Sequence, residues 1–373
     1  MAPTDLTKPR VLRLADRIQE DIRQRALGPG DPYLTTIETA RMLGVNNSVA
    51  GRALQLLAKR RVIERRQRKG TFVLDPGRVE APALLRRVHL LVHRDYLKTE
   101  GLLADGVVVG LQRDLPGTDV HFNFLPPWDE ARYVDQLVRE ALQRSDQEGF
   151  VLVRAPLAAQ RLVAESGLPA VVHGTVYPSV TNLCSIDRDQ YEAGRLLAGY
   201  LLGQGCRRVV VVMRERLLPG DHGTLDGVRD AVDAAALRPA VLTLRCLPAD
   251  PAAARQGLLD VLAEAGAPTG VLCRSDPLAR AAQEAADALG PVAGRPVQVA
   301  LTDMYGKEGH TPRWPYVRTL LAPEEIGHRI GHVLACQARG ERPGTTHETL
   351  AVQLHVPNGY QRTSGEKQRP GSN

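Results

Sequence analysis

Apolar residues recur with helical spacing at the start of the chain. Val11, Leu14, Ile18 and Ile22 fall three and four positions apart and predict an amphipathic helix. Gly28-Pro29-Gly30-Asp31-Pro32 ends it and forces a turn. Thr35 and Glu38 have capping-box spacing and predict a short helix through about Leu43, stopped by Gly44. Asn46, Asn47 and Ser48 suit the cap of a third helix reaching about Arg60, with Val49, Ala53, Leu54 and Leu57 on its inner face. Two short helices joined at Gly44 form a helix-turn-helix layout. From Val62 to Val73 the pattern predicts two strands with a tight basic turn between them, a wing.

Beyond Asp75 the pattern changes. Residues 76–86 contain Pro76, Gly77 and Pro82 and predict a linker. Short aliphatic runs then predict strands at Val88–His93, Val120–Phe124, Gly149–Val153, Ala170–His173, Arg208–Met213, Val241–Cys246, Gly270–Cys273 and Val297–Leu301. Between them, helices are expected near Glu100–Arg113, Asp129–Arg144, Leu157–Ser166, Gln190–Leu202, Thr224–Ala236, Pro251–Ala265, Pro277–Leu289 and Pro323–Arg339. Such alternation predicts an α/β architecture of parallel sheets flanked by helices, and so many strands fit two sheets better than one. The predicted organisation is a head over residues 1–75, the linker, a large domain over 87–360, and a polar, disordered tail over 361–373.

Charge sharpens this division. The net charge of the 373 residues is +6, yet the first 80 carry about 16 Lys and Arg against 9 Asp and Glu. The remainder is close to neutral. Seven basic residues and one acid, Glu64, lie between Lys59 and Lys69. Long cations on a hairpin tip suit phosphate contacts, which points to double-stranded DNA as a partner. Aromatic residues make up only 4%, so the cores are expected to be aliphatic.

The five cysteines are scattered and form no CxxC pair, which fits a reducing compartment better than a disulfide framework or a zinc site. The first ten residues lack the apolar core of a signal peptide, and no apolar stretch has spanning length. A soluble, cytoplasmic protein is expected. A phosphate loop, a GxGxxG after a strand, HExxH and GxSxG are all missing, so neither a cofactor nor a metal is expected and no catalytic residue is named. A sugar-processing enzyme stays open as an alternative.

Open α/β sheets bind ligands beyond the carboxyl ends of their strands. The candidates for a small-molecule site are therefore Asp95 and Tyr96, Trp128, Arg154, His173, Asp187, Arg214, Arg274 and Asp276, and Asp303. Carboxylates, arginines and an aromatic suit a polyhydroxyl or anionic ligand, although Asp276 before Pro277 would equally cap a helix.

Residues 11–74 resemble the winged helix of the GntR family. The likeness is carried by Pro29-Gly30-Asp31, Ala40, Leu43-Gly44-Val45, Ala53-Leu54, Glu64-Arg65-Arg66-Gln67 and Gly70-Thr71-Phe72-Val73. It implies DNA binding through Thr35, Thr36, Asn46, Asn47, Ser48 and Arg52, with Arg65, Arg66, Arg68 and Lys69 on the wing. Where that family usually carries DNA-facing arginines, this chain has Ile37, Asn47 and Gly51, and Arg68 replaces a wing glycine. Asn47, Ser48 and Arg52 remain suited to base edges.

From about Arg87 to Tyr360 the chain resembles the effector domain of LacI-type repressors, itself similar to periplasmic sugar-binding proteins. The residues are Glu148 to Val153, Gly167 to Val172, Ser185-Ile186-Asp187, Ala193-Gly194, Gly205 to Val209, Asp226-Gly227, Cys273 to Asp276, Val299 to Asp303, Val317 to Leu320 and Glu325-Ile326-Gly327. This implies two lobes closing on a sugar or sugar derivative, with several chain crossings between them and Asp187, Asp276 and Asp303 near the ligand. An arginine common in that family is Thr224 here. Together the resemblances imply a homodimeric transcriptional regulator of repressor type. A ligand sensor with a degenerate head that acts through a protein partner is the alternative.

Overall fold

A computed structural model describes residues 9–59, 62–66, 70–74, 84–93, 105–126, 128–144, 147–235, 241–248, 250–264, 266–292, 294, 296–302, 312–341, 345–358 and 360. The chain divides into two compact units, Met1–Ala83 and Leu84–Asn373.

In the first unit, helix α1 (Pro9–Gln24) buries Val11, Leu14, Ile18 and Ile22, the stripe expected from their spacing. Helices α2 (Thr36–Leu43) and α3 (Asn47–Lys59) follow. Gly44 ends α2 at φ 67, a left-handed conformation that a side chain would strain. Strands β2 (Ile63–Arg66) and β3 (Gly70–Val73) form the wing hairpin. A two-residue strand β1 (Pro32–Tyr33) pairs antiparallel with β3, which the turn-rich sequence there did not predict.

The second unit has two lobes. The first is built on β4 (Arg87–His93), β5 (Asp119–Leu125), β6 (Glu148–Val153), β7 (Ala170–His173), β8 (Cys184–Arg188) and, much later in the chain, β14 (His347–Leu350). These form one parallel sheet in the order β14-β8-β7-β6-β4-β5. Helices α4 (Asp105–Asp114), α5 (Glu130–Gln143), α6 (Leu157–Ser166) and the late α11 (Pro323–Ala338) cover it.

The second lobe contains β9 (Arg208–Arg214), β10 (Val241–Leu247), β11 (Thr269–Cys273), β12 (Gln298–Leu301), β13 (Tyr316–Thr319) and β15 (Val352–His355). Their order is β10-β9-β11-β12-β13-β15, parallel except for the antiparallel β15. Helices α7 (Gln190–Gly203), α8 (Pro219–Asp233), α9 (Pro251–Ala263) and α10 (Asp276–Leu289) flank it. The chain crosses between lobes three times, after β8, after β13 and after β14.

The predicted strands are all present. The additional β8, β13, β14 and β15 are short, and β14 and β15 alternate polar residues at sheet edges, which leaves little aliphatic signal. Helix α8 begins at Pro219, five residues before the expected Thr224. Gly220 and Gly223 weaken the helical pattern there, whereas Pro219 at the first turn is its signal.

That helix packs closely on α7. A Cβ at Gly194 would lie 2.1 Å from the Thr224 carbonyl oxygen, and one at Gly227 would lie 2.0 Å from that of Tyr191. Glycine at both positions lets the two backbones touch and sets Gln190 and Asp221 side by side. Gly227→Ala should therefore force the helices apart, at a cost of roughly 1–3 kcal/mol. Urea unfolding measures this, and an unchanged midpoint would contradict the contact.

Candidate functional site

The carboxyl ends of strands from both lobes line a cleft. Two adjoining cavities there measure about 830 and 490 Å3 with their open mouths included, and a third of about 1150 Å3 shares Thr175, Asp187 and Gln190 with the smaller. The larger of the adjoining two is bordered by His93 and Arg154 of the first lobe and by Arg214, Arg216, Leu218, Leu247 and Ser275 of the second. The smaller lies against Gln160, His173, Thr175, Asp187, Gln190 and Arg274. Arg154, Arg214 and Leu218 line both. Arg154 has φ 53, a left-handed conformation uncommon outside glycine.

The chemistry centres on Asp221, in the first turn of α8 and 0% exposed. Arg274 Nε donates to its Oδ1 at 2.6 Å, and Arg214 Nη2 approaches the same oxygen at 3.4 Å. The Leu218 N–H donates to Oδ2 at 2.8 Å. Burial by itself would raise the pKa of this carboxyl, but the two arginine charges and the hydrogen bonds outweigh it and hold the value below the usual carboxylate range.

Arg274 extends the network. It donates to Thr302 Oγ1 and to Gln190 Oε1, each at 3.3 Å. Gln190 Nε2 donates to Asp187 Oδ1 at 3.0 Å, and Thr175 Oγ1 donates to Asp187 Oδ2 at 2.5 Å. The Arg188 guanidinium bonds the Thr302 carbonyl. A continuous polar chain thus runs from Thr175 and Asp187 in the first lobe to Arg274 and Asp221 in the second. Elsewhere on the cleft, Arg216 reaches across to Glu130 at 3.6 Å, and Glu130 also lies 3.3 Å from His93.

Of the expected ligand residues, Arg154, His173, Asp187, Arg214 and Arg274 line this cleft. Trp128 does not: it is 75% exposed just before α5 and borders neither cavity. Asp276 also falls outside the lining, because its Oδ2 accepts from Arg280 Nε one turn along α10, at 2.5 Å. Asp95, Tyr96 and Asp303 lie outside the described residues. Sequence reasoning missed Asp221, Gln190, Thr175 and Ser275. Pro219 two residues before Asp221 was the available signal for the first; a glutamine or hydroxyl in a turn carries none.

The head presents a second site. Thr35 caps α2 reciprocally with Glu38: its N–H donates to Glu38 Oε2 at 2.8 Å, and the Glu38 N–H donates back at 3.4 Å. Asn46 Oδ1 accepts the Val49 N–H at 2.9 Å, so Asn46 caps α3. Those two side chains have local roles. Asn47 and Ser48 are exposed in the first turn of α3, and Arg52 lies one turn further. Arg65 Nη2 donates to Thr36 Oγ1 at 3.3 Å, and a Cβ at Gly51 would meet Thr36 Cγ2 at 3.6 Å. The wing, the start of α2 and the middle of α3 therefore meet at Thr36. Ile37 beside it is 60% exposed. Arg66 pairs with Glu64 at 2.9 Å and stacks over Phe72. Arg68 and Lys69 lie outside the described residues.

Residues 10–73 match the model of the bacterial regulatory proteins of the gntR family. Residues 198–356 match that of the periplasmic binding protein-like domain. A search of the curated proteins finds no match. Among solved structures, the complex of the transcriptional regulator CelR with cellobiose is 18% identical; the match covers 87% of this chain and 99% of that one, with a TM-score of 0.60. A regulatory protein of the LacI family from Chloroflexus aggregans is 17% identical over 72% of this chain and 96% of that one, with a TM-score of 0.57. A LacI family transcriptional regulator from Enterococcus faecium with bound ribose is 16% identical over 72% and 96%, with a TM-score of 0.56. The fold of this chain is theirs.

The Asp221 network makes a pH-dependent prediction. Folding lowers this pKa, so the charged carboxylate adds stability above its unfolded pKa, about 3.9. That contribution is lost as pH falls through the lower folded value. The native chain should therefore lose stability on acidification below about pH 4 more steeply than Asp221→Asn, by urea midpoints across pH. At neutral pH, Arg274→Ala should cost roughly 3–5 kcal/mol by leaving a poorly compensated buried charge. Equal acid slopes would contradict the assignment.

Proposed function

We propose that this chain, with a GntR-type head and a periplasmic-binding-protein-like domain, is a DNA-binding transcriptional regulator controlled by a small molecule held between its lobes. One observation carries the reading: a winged helix with an exposed basic wing and a two-lobed polar cleft occur in one chain. The relatives described with cellobiose and with ribose support a sugar or sugar derivative as the ligand.

In this reading Asn47, Ser48 and Arg52 meet base edges, while Thr36, Arg65 and Arg66, with Arg68 and Lys69 on the same wing, meet phosphates. The chain acts as a cytoplasmic homodimer and a repressor, without catalysis. Arg154, His173, Asp187, Arg214 and Arg274 hold the ligand. Binding shifts the DNA-competent population only through different affinities for the open and closed lobes.

A second reading is favoured by Ile37, Asn47 and Gly51, which stand where GntR-type heads usually carry arginines. In it the head is degenerate and the chain senses a ligand for a protein partner.

Selection of bound duplexes from a random pool at low salt separates the two. The regulator reading expects enrichment of a near-palindrome, since a two-fold protein mirrors its symmetry in its site. Arg66→Ala should then weaken binding to all sequences alike and flatten the salt slope by about one. No enrichment from folded protein would overturn this reading and favour the second.

A further inference from the structure

The cleft is rich in donors: His93, Arg154, Arg214 and Arg216 border the larger cavity against one carboxylate, Glu215, and the other acids nearby are engaged by the protein. Asp221 already accepts from Arg274, Arg214 and the Leu218 N–H. Asp187 already accepts from Thr175, Gln190 and the Arg188 N–H. Glu130 faces Arg216 and His93. A neutral sugar needs both donors and acceptors around its hydroxyls, and it is commonly stacked on an aromatic ring. Among the described residues lining these two cavities there is no Trp, Tyr or Phe, and Tyr177 borders only the third.

Two guanidinium groups, Arg154 and Arg214, line both cavities together with Leu218. Guanidinium groups only donate, in a fork that matches carboxylate and phosphate oxygens. A further donor is present. Ser275 is 1% exposed, borders the larger cavity, and its Oγ has no hydrogen-bond partner among the described residues. It precedes the 14-residue helix α10 as its N-cap without making the usual side-chain cap bond. A buried hydroxyl left unsatisfied is costly, and a ligand oxygen would satisfy it. The positive end of the α10 dipole also favours a negative group there. His93, Glu215 and Arg216 also border the larger cavity, and its remaining wall is apolar: Leu218, Leu247, Pro248, Pro251, Pro277 and Leu278.

We propose that the effector carries an anionic head, a carboxylate or a phosphate, seated on Arg154, Arg214 and Ser275 with its less polar body on the leucine–proline wall. This deepens the regulator reading and rests on it for the consequence at DNA, but not for the binding itself. An acid or phosphate ester of a sugar matches both; a neutral sugar brings no charge to the arginines.

The test uses the full chain and simple anions, so it needs no identified effector. Thermal unfolding is followed with inorganic phosphate or acetate replacing chloride at constant ionic strength, and separately with glucose and ribose. Arg154→Asn, which tolerates left-handed backbone, and Arg214→Gln probe the cleft; Arg66→Ala controls for the basic wing. The proposal expects stabilisation by one anion, with affinity reduced roughly tenfold or more in both cleft variants and unchanged in Arg66→Ala. Phosphate acting alone identifies a phosphate head; acetate acting alone identifies a carboxylate. Ser275→Ala should weaken the same anion without removing the response.

No anion-specific stabilisation overturns the proposal. So does stabilisation that survives in the cleft variants, or stabilisation by glucose or ribose alone. The regulator reading is judged separately by duplex selection: an enriched operator with no anion response sinks this inference alone, and an anion response with no operator sinks only the regulator reading.

Discussion

A carboxylate buried to zero exposure needs a matched charge, and Asp221 has Arg274 at 2.6 Å. This pair organises the cleft. An isolated buried charge is costly, and the pair is tolerated because each partner's remaining hydrogen-bonding capacity is largely met. Arg274 goes on to Thr302 and Gln190, and Gln190 to Asp187. The close α7–α8 contact at Gly194 and Gly227 is what brings Gln190 near Asp221. One buried charge therefore accounts for several otherwise unrelated choices along the chain: glycines in helix interiors, a proline that starts α8, and a glutamine where the chain first crosses between lobes.

The same network shapes the cleft. Asp221 and Asp187 accept from protein donors, while Arg154, Arg214, Arg216, Glu215 and an apolar wall border the larger cavity. The head follows a different logic. Its fixed parts are caps: Thr35 with Glu38, Asn46 with Val49, and Gly44 in a left-handed turn. These leave Asn47, Ser48, Ile37, Arg65 and Arg66 exposed on a capped scaffold.

Much of this architecture was legible in the sequence. The α1 stripe, the Thr35–Glu38 spacing and the aliphatic runs of buried strands are local signals, and each formed the element its period implies. Edge strands β14 and β15 were hidden because half-buried, polar alternation over four residues resembles loop. The site was partly legible: arginines and Asp187 at strand ends line the cleft, since a parallel sheet delivers its strand ends to one place. Trp128 and Asp276 look equally chemical in sequence, yet one is in solvent and the other bonds its own helix. Asp221 could not be distinguished from a surface acid, because its burial depends on a helix packing that no local pattern encodes.

The central claim is that lobe arrangement governs the DNA-binding head. It can be tested without any ligand through Glu130 and Arg216, which pair across the cleft. Charge reversal by Glu130→Lys places two cations face to face and should favour open lobes; adding Arg216→Glu restores an attractive pair. The measurement is affinity for a selected operator in the native chain, the single variant and the double variant. The account predicts that Glu130→Lys shifts operator affinity and that the double variant returns it toward the native value. Identical operator affinity in all three folded proteins would contradict coupling between the cleft and DNA.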